Sequence, residues 1–424
     1  MMKRRMISLF LVFTLTSIFA LLGCSSNTTK ESTSGDEKQV TLTVWGDQEN
    51  QSKVEPAFTK INKLFMEKHP KIKLDYQYSG THQTIDTAVR SDSLPDLFYV
   101  QGNKTPMMKL YVESGALLPL DEYNLDLSRY SEEAIAYATV DDKLYSSLPA
   151  FMDSQLIYYN KDIFKKYGIS EPKTFEEFIS IFDTLKENGV TPMSMPGKDE
   201  WGRPWLAFSL ASALANDALT SLNNGEGDFS DPNIVKAFQT MHDLAKNDFF
   251  SKNFITVDTS GSQLAFTNGD VAMMADGTWS HPTYSSTMSN LGTFYIPGVE
   301  GEKLAPLSLS NYTTYAVSAN TKHPEEAVEY LKFLSSKEAQ QIVAEEVVGA
   351  IPTLDDITPS KDVVELTEYD SFGHNILTVL SDVSTDKVAL NDIFMREIIP
   401  GLLTNELSGE EAAKQLNDAL AKTK

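Results

Sequence analysis

Four tryptophans, Trp45, Trp201, Trp205 and Trp279, carry the clearest chemical signal in this chain. Trp201 and Trp205 share the run WGRPW with Gly202, Arg203 and Pro204, and glycine and proline there oppose regular structure. Trp279 closes the run GDVAMMADGTW (269–279), in which an apolar strand-like segment meets Asp276-Gly277, a dipeptide that reads as a turn. Trp45 ends an alternating segment, with Asp47 and Gln48 just beyond it. An indole inside a helical stripe belongs to a core. Indoles in loops and at strand ends, beside Asp47, Gln48, Arg203 and Asp276, are placed to line an opening. The flat indole face matches the C–H face of a pyranose ring, and nearby carboxylates and amides can take the hydroxyls in charge-assisted hydrogen bonds. Such chemistry is recognition, with no bond broken. The expectation at 269–279 is an anchored strand, a turn at Asp276-Gly277 that lets the backbone approach a ligand, and Trp279 held out as a stacking platform.

Other chemistries find little footing. The six histidines (69, 82, 242, 281, 323 and 374) include no pair at i, i+3 or i+4, so no zinc site is expected. No Gly-x-Ser-x-Gly elbow and no Gly-x-x-x-x-Gly-Lys phosphate loop occurs. The segment EGDFSDPN (226–233) matches a calcium loop poorly. No metal and no cofactor are expected. Tyr158 and Tyr159 adjoin in a strand-like run, where neighbours face opposite ways, one into a core and one beneath a helix. A net charge of −23 sets nucleic acid aside, since the only basic run is Lys3-Arg4-Arg5. Of the arginines beyond the first residues, only Arg203 is a site candidate, which favours a neutral ligand. Two rival classes stay open: a secreted glycosidase, because 59 acidic residues always offer a carboxylate pair, and a receptor for a peptide or polyamine, which the acidity would suit.

The elements that must position these side chains alternate between strand and helix. Val40, Leu42 and Val44 alternate with threonines; Val54, Phe58, Ile61 and Phe65 recur at helical spacing, with Pro56 expected in the first turn; Ile72 to Tyr78 alternate again; and DLFYV (96–100) reads as a buried strand. A second series starts near residue 150, with QLIYYN (155–160), a Thr174–Glu177 capping box, and an apolar face of Phe175, Phe178, Ile179, Phe182 and Leu185. Pro324 opens another helix, Ser335–Glu338 resembles a further capping box, and residues 361–422 are mainly helical in pattern. The fold class expected is α/β, with two lobes, each a mainly parallel sheet flanked by helices, and a site in the crevice between them.

Residues 1–23 read as a targeting leader: a basic start, an apolar stretch from Met6 to Leu22, and then Leu21-Leu22-Gly23-Cys24, which resembles the bacterial lipobox. In that family the leader is cut before the cysteine, so the resemblance implies lipidation at Cys24, the only cysteine. Residues 25–39 hold no apolar side chain and form a tether with an r.m.s. reach on the order of 20 Å.

The segments LPAFMDSQLIYYNKDIFKKYGISEPKTFEEF (148–178), GDVAMMADGTW, LPDLFYV (94–100) and YAVSANTKHPEEAVEYLKFLSSKEAQ (315–340) resemble the solute-binding proteins of sugar ABC transporters, over roughly residues 40–350. The resemblance implies a two-lobe, periplasmic-binding-protein-like fold with a hinge. The first lobe would hold residues 40–149 plus 313–355, and the second 150–312 plus 356–424. It implies that Asp153 accepts sugar hydroxyls and that Trp279 stacks on a ring. It gives Trp45, Asp47, Gln48, Gln101 and Asn103 as contacts of the first lobe, and Trp205 as an aromatic subsite. A second hinge crossing would fall at Ser310-Asn311-Tyr312; relatives often carry Gly at 311, so Asn311 departs from the pattern. The whole implies a monomeric, lipid-anchored extracytoplasmic receptor, not an enzyme, for a neutral sugar or oligosaccharide, with an ABC permease and the membrane as partners.

Overall fold

The computed structural model describes residues 39–102, 107–309, 314–385 and 387–423. Strand β1 (Val40–Asp47) leads into α1 (Gln51–Lys68), then β2 (Ile72–Gly80), α2 (His82–Arg90) and β3 (Leu97–Tyr99). The expected face of α1, Val54, Phe58, Ile61 and Phe65, is buried. Pro56 lies inside this helix, not in its first turn, because the helix starts at Gln51. β1 continues two residues past Trp45, which pairs with Gln77 on one side and Phe98 on the other.

The chain then runs through β4 (Phe151–Asp153) into β5 (Gln155–Asn160), α3 (Phe175–Glu187), β6 (Thr191–Ser194), α4 (Trp205–Asn223), α5 (Pro232–Lys246), α6 (Thr259–Thr267), β7 (Val271–Gly277), α7 (His281–Thr287) and β8 (Leu291–Phe294). Thr174 caps α3 by accepting from the Glu177 N–H, while Glu177 reaches back to the N–H of Lys173 at 2.7 Å. Tyr158 and Tyr159 are both buried, Tyr158 against Tyr284 and Tyr159 against Phe164 and Phe294. After β9 (Ser308–Leu309) come β10 (Tyr315–Val317), α8 (Pro324–Leu334), α9 (Lys337–Glu346), β11 (Ile351–Pro352) and a final helical layer that closes with α10 (Gly409–Leu420). Ser336, one residue later than expected, caps α9.

Two separate hydrophobic cores result. One is built from residues 42–151 and 315–357, the other from residues 152–307 with Ile351 and residues 363–420. The first surrounds the sheet β10-β3-β1-β2, parallel except for β10. The second surrounds β8-β5-β7-β6, where only β6 and β7 are parallel. The mainly parallel arrangement therefore holds in the first lobe and gives way in the second. There β5 and β8 run against their neighbours and bury near-continuous apolar runs all the same. The chain passes between the cores three times, and the three passages pair as one small antiparallel sheet, β9-β4-β11: Asp153 faces Ser308, Met152 faces Ile351, and Phe151 faces Pro352.

Candidate functional site

In the first lobe the candidates gather where β1 and β3 end. Asp47 is 1% exposed and its oxygens are engaged within the chain: Oδ1 accepts from the N–H groups of Glu49 and Asn50 at 2.9 and 3.2 Å, and Oδ2 from Asn50 Nδ2 at 2.7 Å. Burial raises its pKa, against the lowering effect of the Asn50 and Glu49 hydrogen bonds. Asp47, which the resemblance gives as a ligand contact, thus shapes the loop that carries the exposed Gln48. Gln101 donates to the Tyr99 hydroxyl at 2.9 Å. Burial, and next the Asp47 charge, hold that phenol above its usual pKa. Tyr99 therefore joins this cluster. The sequence offered it only as one residue of a strand run, and alternation around Phe98 was the one available signal. Trp45 is half-buried on the first core. Asn103, Asn311, Tyr312 and Cys24 lie outside the described residues.

In the second lobe the centre is Trp279. Asp276 and Gly277 are not a turn. They are the last two residues of β7, paired with Leu156 and Gln155, and the chain bends only after them, in a short 3-10 segment at Thr278–Ser280. Pairing within a sheet has overridden the local Asp-Gly preference. Gly277 has an ordinary extended φ of −91°. Its lack of a side chain serves another purpose, since a Cβ there would overlap the Trp279 indole. The ring lies flat against the end of its own strand. Trp205 meets it edge to face, with ring centroids 5.6 Å apart and planes at 66°. Such a pair contributes about 0.5–1.5 kcal/mol beyond burial. Trp205 is 8% exposed and opens α4, so it is a buttress and not a loop residue, while Trp279 stays half-buried.

Asp276 is fully buried and is spent internally. It accepts from the Gly277 N–H at 2.7 Å, from the Tyr284 hydroxyl at 2.5 Å and from Gln263 Nε2 at 3.1 Å. Burial outweighs these bonds and pushes its pKa up to about 6. Its role is to hold the Trp279 segment, not to present a carboxylate outward.

Arg203 is also turned inward. Its Nη2 donates to the Met395 carbonyl at 2.7 Å. Residues 394–398 form a π-turn in which the Ile399 N–H reaches Phe394, and the next donor in line would be residue 400, a proline without an N–H. Arg203 fills the acceptor that Pro400 orphans. Trp201 stands 63% exposed on the loop before α4, and Arg396 pairs with Glu200 beside it at 3.1 Å. Asp153 is 6% exposed at the end of β4, within the crossing sheet. Among the described residues no group of three or more His, Cys, Asp or Glu side chains is arranged to hold a metal, and no helix is long and apolar enough to cross a membrane.

Two α/β lobes on separate cores, joined by three paired crossings, with a buttressed half-exposed indole beside the crossings, define a receptor of the two-lobe binding-protein class. The chain belongs to the bacterial extracellular solute-binding protein family, whose model matches residues 47–341. The multiple sugar-binding protein of Streptococcus mutans is 27% identical over 345 residues, 76% of this chain and 77% of that protein. The diacetylchitobiose binding protein of Streptomyces coelicolor is 26% identical over 377 residues, 86% of this chain and 84% of its own. The apo structure of RafE from Streptococcus pneumoniae superposes with a TM-score of 0.74 at 25% identity, covering 92% of this chain and 99% of that one.

Proposed function

We propose that this protein is a lipid-anchored extracytoplasmic receptor that binds a neutral sugar, an oligosaccharide in particular, between its lobes and delivers it to an ABC importer. The observation that carries the reading is the Trp279 platform, half-exposed, braced edge-on by Trp205 and seated on Gly277. Sugar-binding relatives support the ligand class. The arginines support its neutrality. Arg90 pairs with Asp86, Arg129 with Asp356, Arg203 with the Met395 carbonyl and Arg396 with Glu200, so all four arginines beyond the leader are committed inside the chain. An anionic ligand calls for a bidentate guanidinium, and Arg203, the one candidate arginine, turns its Nη2 to the Met395 carbonyl and holds its Nε buried without a partner. The lipobox-like Leu21-Leu22-Gly23-Cys24 and the polar tether support anchoring at Cys24.

The test is a melting screen with mono- and oligosaccharides, followed by calorimetric titration. A ligand at 100 times its Kd adds about 2.7 kcal/mol of stability. Trp279→Ala should abolish that gain while leaving the unliganded melting point within a few degrees of the native value. Retention of full affinity in this variant would refute the site. Chromatography of the incubated sugars separates a receptor from a glycosidase, since cleaved products would overturn the receptor reading. Cys24→Ala should release the protein from membranes of the expressing cell.

A further inference from the structure

Beside the crossing sheet, the two lobes also touch where neither core requires it. The connector from α9 to β11 belongs to the first lobe, with Val347 and Ala350 buried in its core. Between them Gly349 adopts a left-handed backbone, φ +80°, and lies directly on the loop of the second lobe that carries Trp279. A Cβ at 349 would sit 2.7 Å from the Thr278 carbonyl oxygen and 3.4 Å from the Trp279 Cα. This is backbone against backbone, so no flexible side chain can yield. The loop is held from behind by hydrogen bonds. The Thr278 N–H donates to the Ser154 carbonyl at 2.9 Å, the Ser154 N–H donates to Thr278 Oγ1 at 3.3 Å, and the Ser154 hydroxyl donates to the Pro306 carbonyl at 3.0 Å. Ser154 follows Asp153 of β4, and Pro306 precedes Ser308 of β9. On the other side, Ile351 and Pro352 continue at once from Gly349 into β11, with the Thr353 hydroxyl donating to the Pro149 carbonyl at 2.8 Å. All three crossings and the Trp279 loop are thus tied together around residues 152–154 and 349–353.

We propose that Gly349 is a positioning residue for ligand capture: it bears on Thr278, so that the placement of the Trp279 indole and the angle between the lobes are set together. Rotation of the first lobe about the crossing sheet carries Gly349 along the Thr278 carbonyl, and displacement of the platform presses back on the connector. Coupling of this kind is reciprocal, as any linkage between two sites must be. The significance for sugar capture rests on the reading of Trp279 given above; the coupling itself does not.

Hydrogen exchange of the ligand-free protein tests it, with three variants. Gly349→Ala places a methyl on the contact. Gly115→Ala is the control, since Gly115 has φ +71° in the same lobe with nothing within 4 Å of an added Cβ. It carries the same left-handed strain without the collision. Trp279→Ala perturbs from the other side. Gly349→Ala should speed exchange of the 278–280 amides at least about threefold relative to both wild type and Gly115→Ala. Trp279→Ala should speed exchange of the Ala350 and Thr353 amides, whose acceptors are Val347 and Ala150. Rates at 278–280 equal to those of the Gly115 variant, together with unchanged rates at 350–353 in Trp279→Ala, would overturn the proposal. If Gly349→Ala does not fold, the Trp279→Ala arm decides alone. Titration with raffinose, the sugar held by RafE in another of its structures, is kept separate. Full raffinose affinity in Trp279→Ala would count against the binding site and leave the coupling standing.

Discussion

Replacing Asp276 by Asn should change how stability depends on pH, with a sign that the structure fixes. The carboxyl is fully buried, and its pKa rises from 3.8 to about 6 because the cost of burying charge exceeds what Tyr284, Gln263, Gly277 and Ser280 return. The folded state therefore holds this proton more tightly than the unfolded chain does. The stabilising contribution is fully present below pH 3.8, falls as pH rises through the interval, and is gone above about 6. The span corresponds to about 3 kcal/mol at 1.36 kcal/mol per pH unit. Asn cannot titrate, so the stability of wild type minus that of Asp276→Asn should grow by about 2 kcal/mol between pH 7 and pH 4, most of the full span. Carboxylates held low, such as Asp96 and Glu411, act in the opposite direction but are common to both proteins and cancel in the difference. The assay is urea unfolding followed by indole fluorescence. Trp201, Trp205 and Trp279 sit in the same lobe as Asp276 and report its unfolding, while Trp45 reports the other. A constant offset from the amide substitution is expected and is not diagnostic. A difference that stays flat within about 0.5 kcal/mol across this range would refute the argument that a buried carboxyl clamps the Trp279 segment.

Arg203→Ala should destabilise the second lobe by about 1–3 kcal/mol, because the Met395 carbonyl then has neither a guanidinium nor a residue 400 N–H to satisfy it. The same substitution should leave the affinity for a neutral sugar within twofold in a calorimetric titration; a larger loss would place the guanidinium on the ligand. Gly277→Ala should weaken sugar binding at least tenfold, since the methyl displaces the Trp279 ring while φ −91° accepts alanine without strain. Unchanged affinity would show that the ring does not need its seat.

Much of the fold could be read from local pattern. The buried stripe of α1 and the cap and apolar face of α3 follow from spacing alone, apart from an exchange of Ile179 for Ile181 on the buried side. What could not be read depends on partners distant in sequence. Arg203 looks like a ligand group until Met395, 192 residues away, is beside it. Asp276-Gly277 has the composition of a turn, and only its pairing with Leu156 and Gln155 makes it a strand end. Strand direction in the second sheet was equally hidden, because a buried apolar run reads the same whichever way it points. The tryptophans were legible as an aromatic group. Their division of labour, with Trp205 as brace and Trp279 as platform, depends on an edge-to-face angle that no sequence states.

The three crossings make each half of the molecule discontinuous along the chain. The sheet around β1 lacks its outer strand β10 until residue 317 has been made, and its core lacks Leu354 and Ile357 until forty residues later still. A ribosome or an export channel releases the chain from its beginning, so the opening 150 residues must wait, unfinished and with apolar faces uncovered, while residues 152–307 of the other half are produced, and that half in turn waits for residues 363–420. Neither half can be cut out as a single fragment. Whatever guards the chain against aggregation has to act until nearly the last helix has emerged.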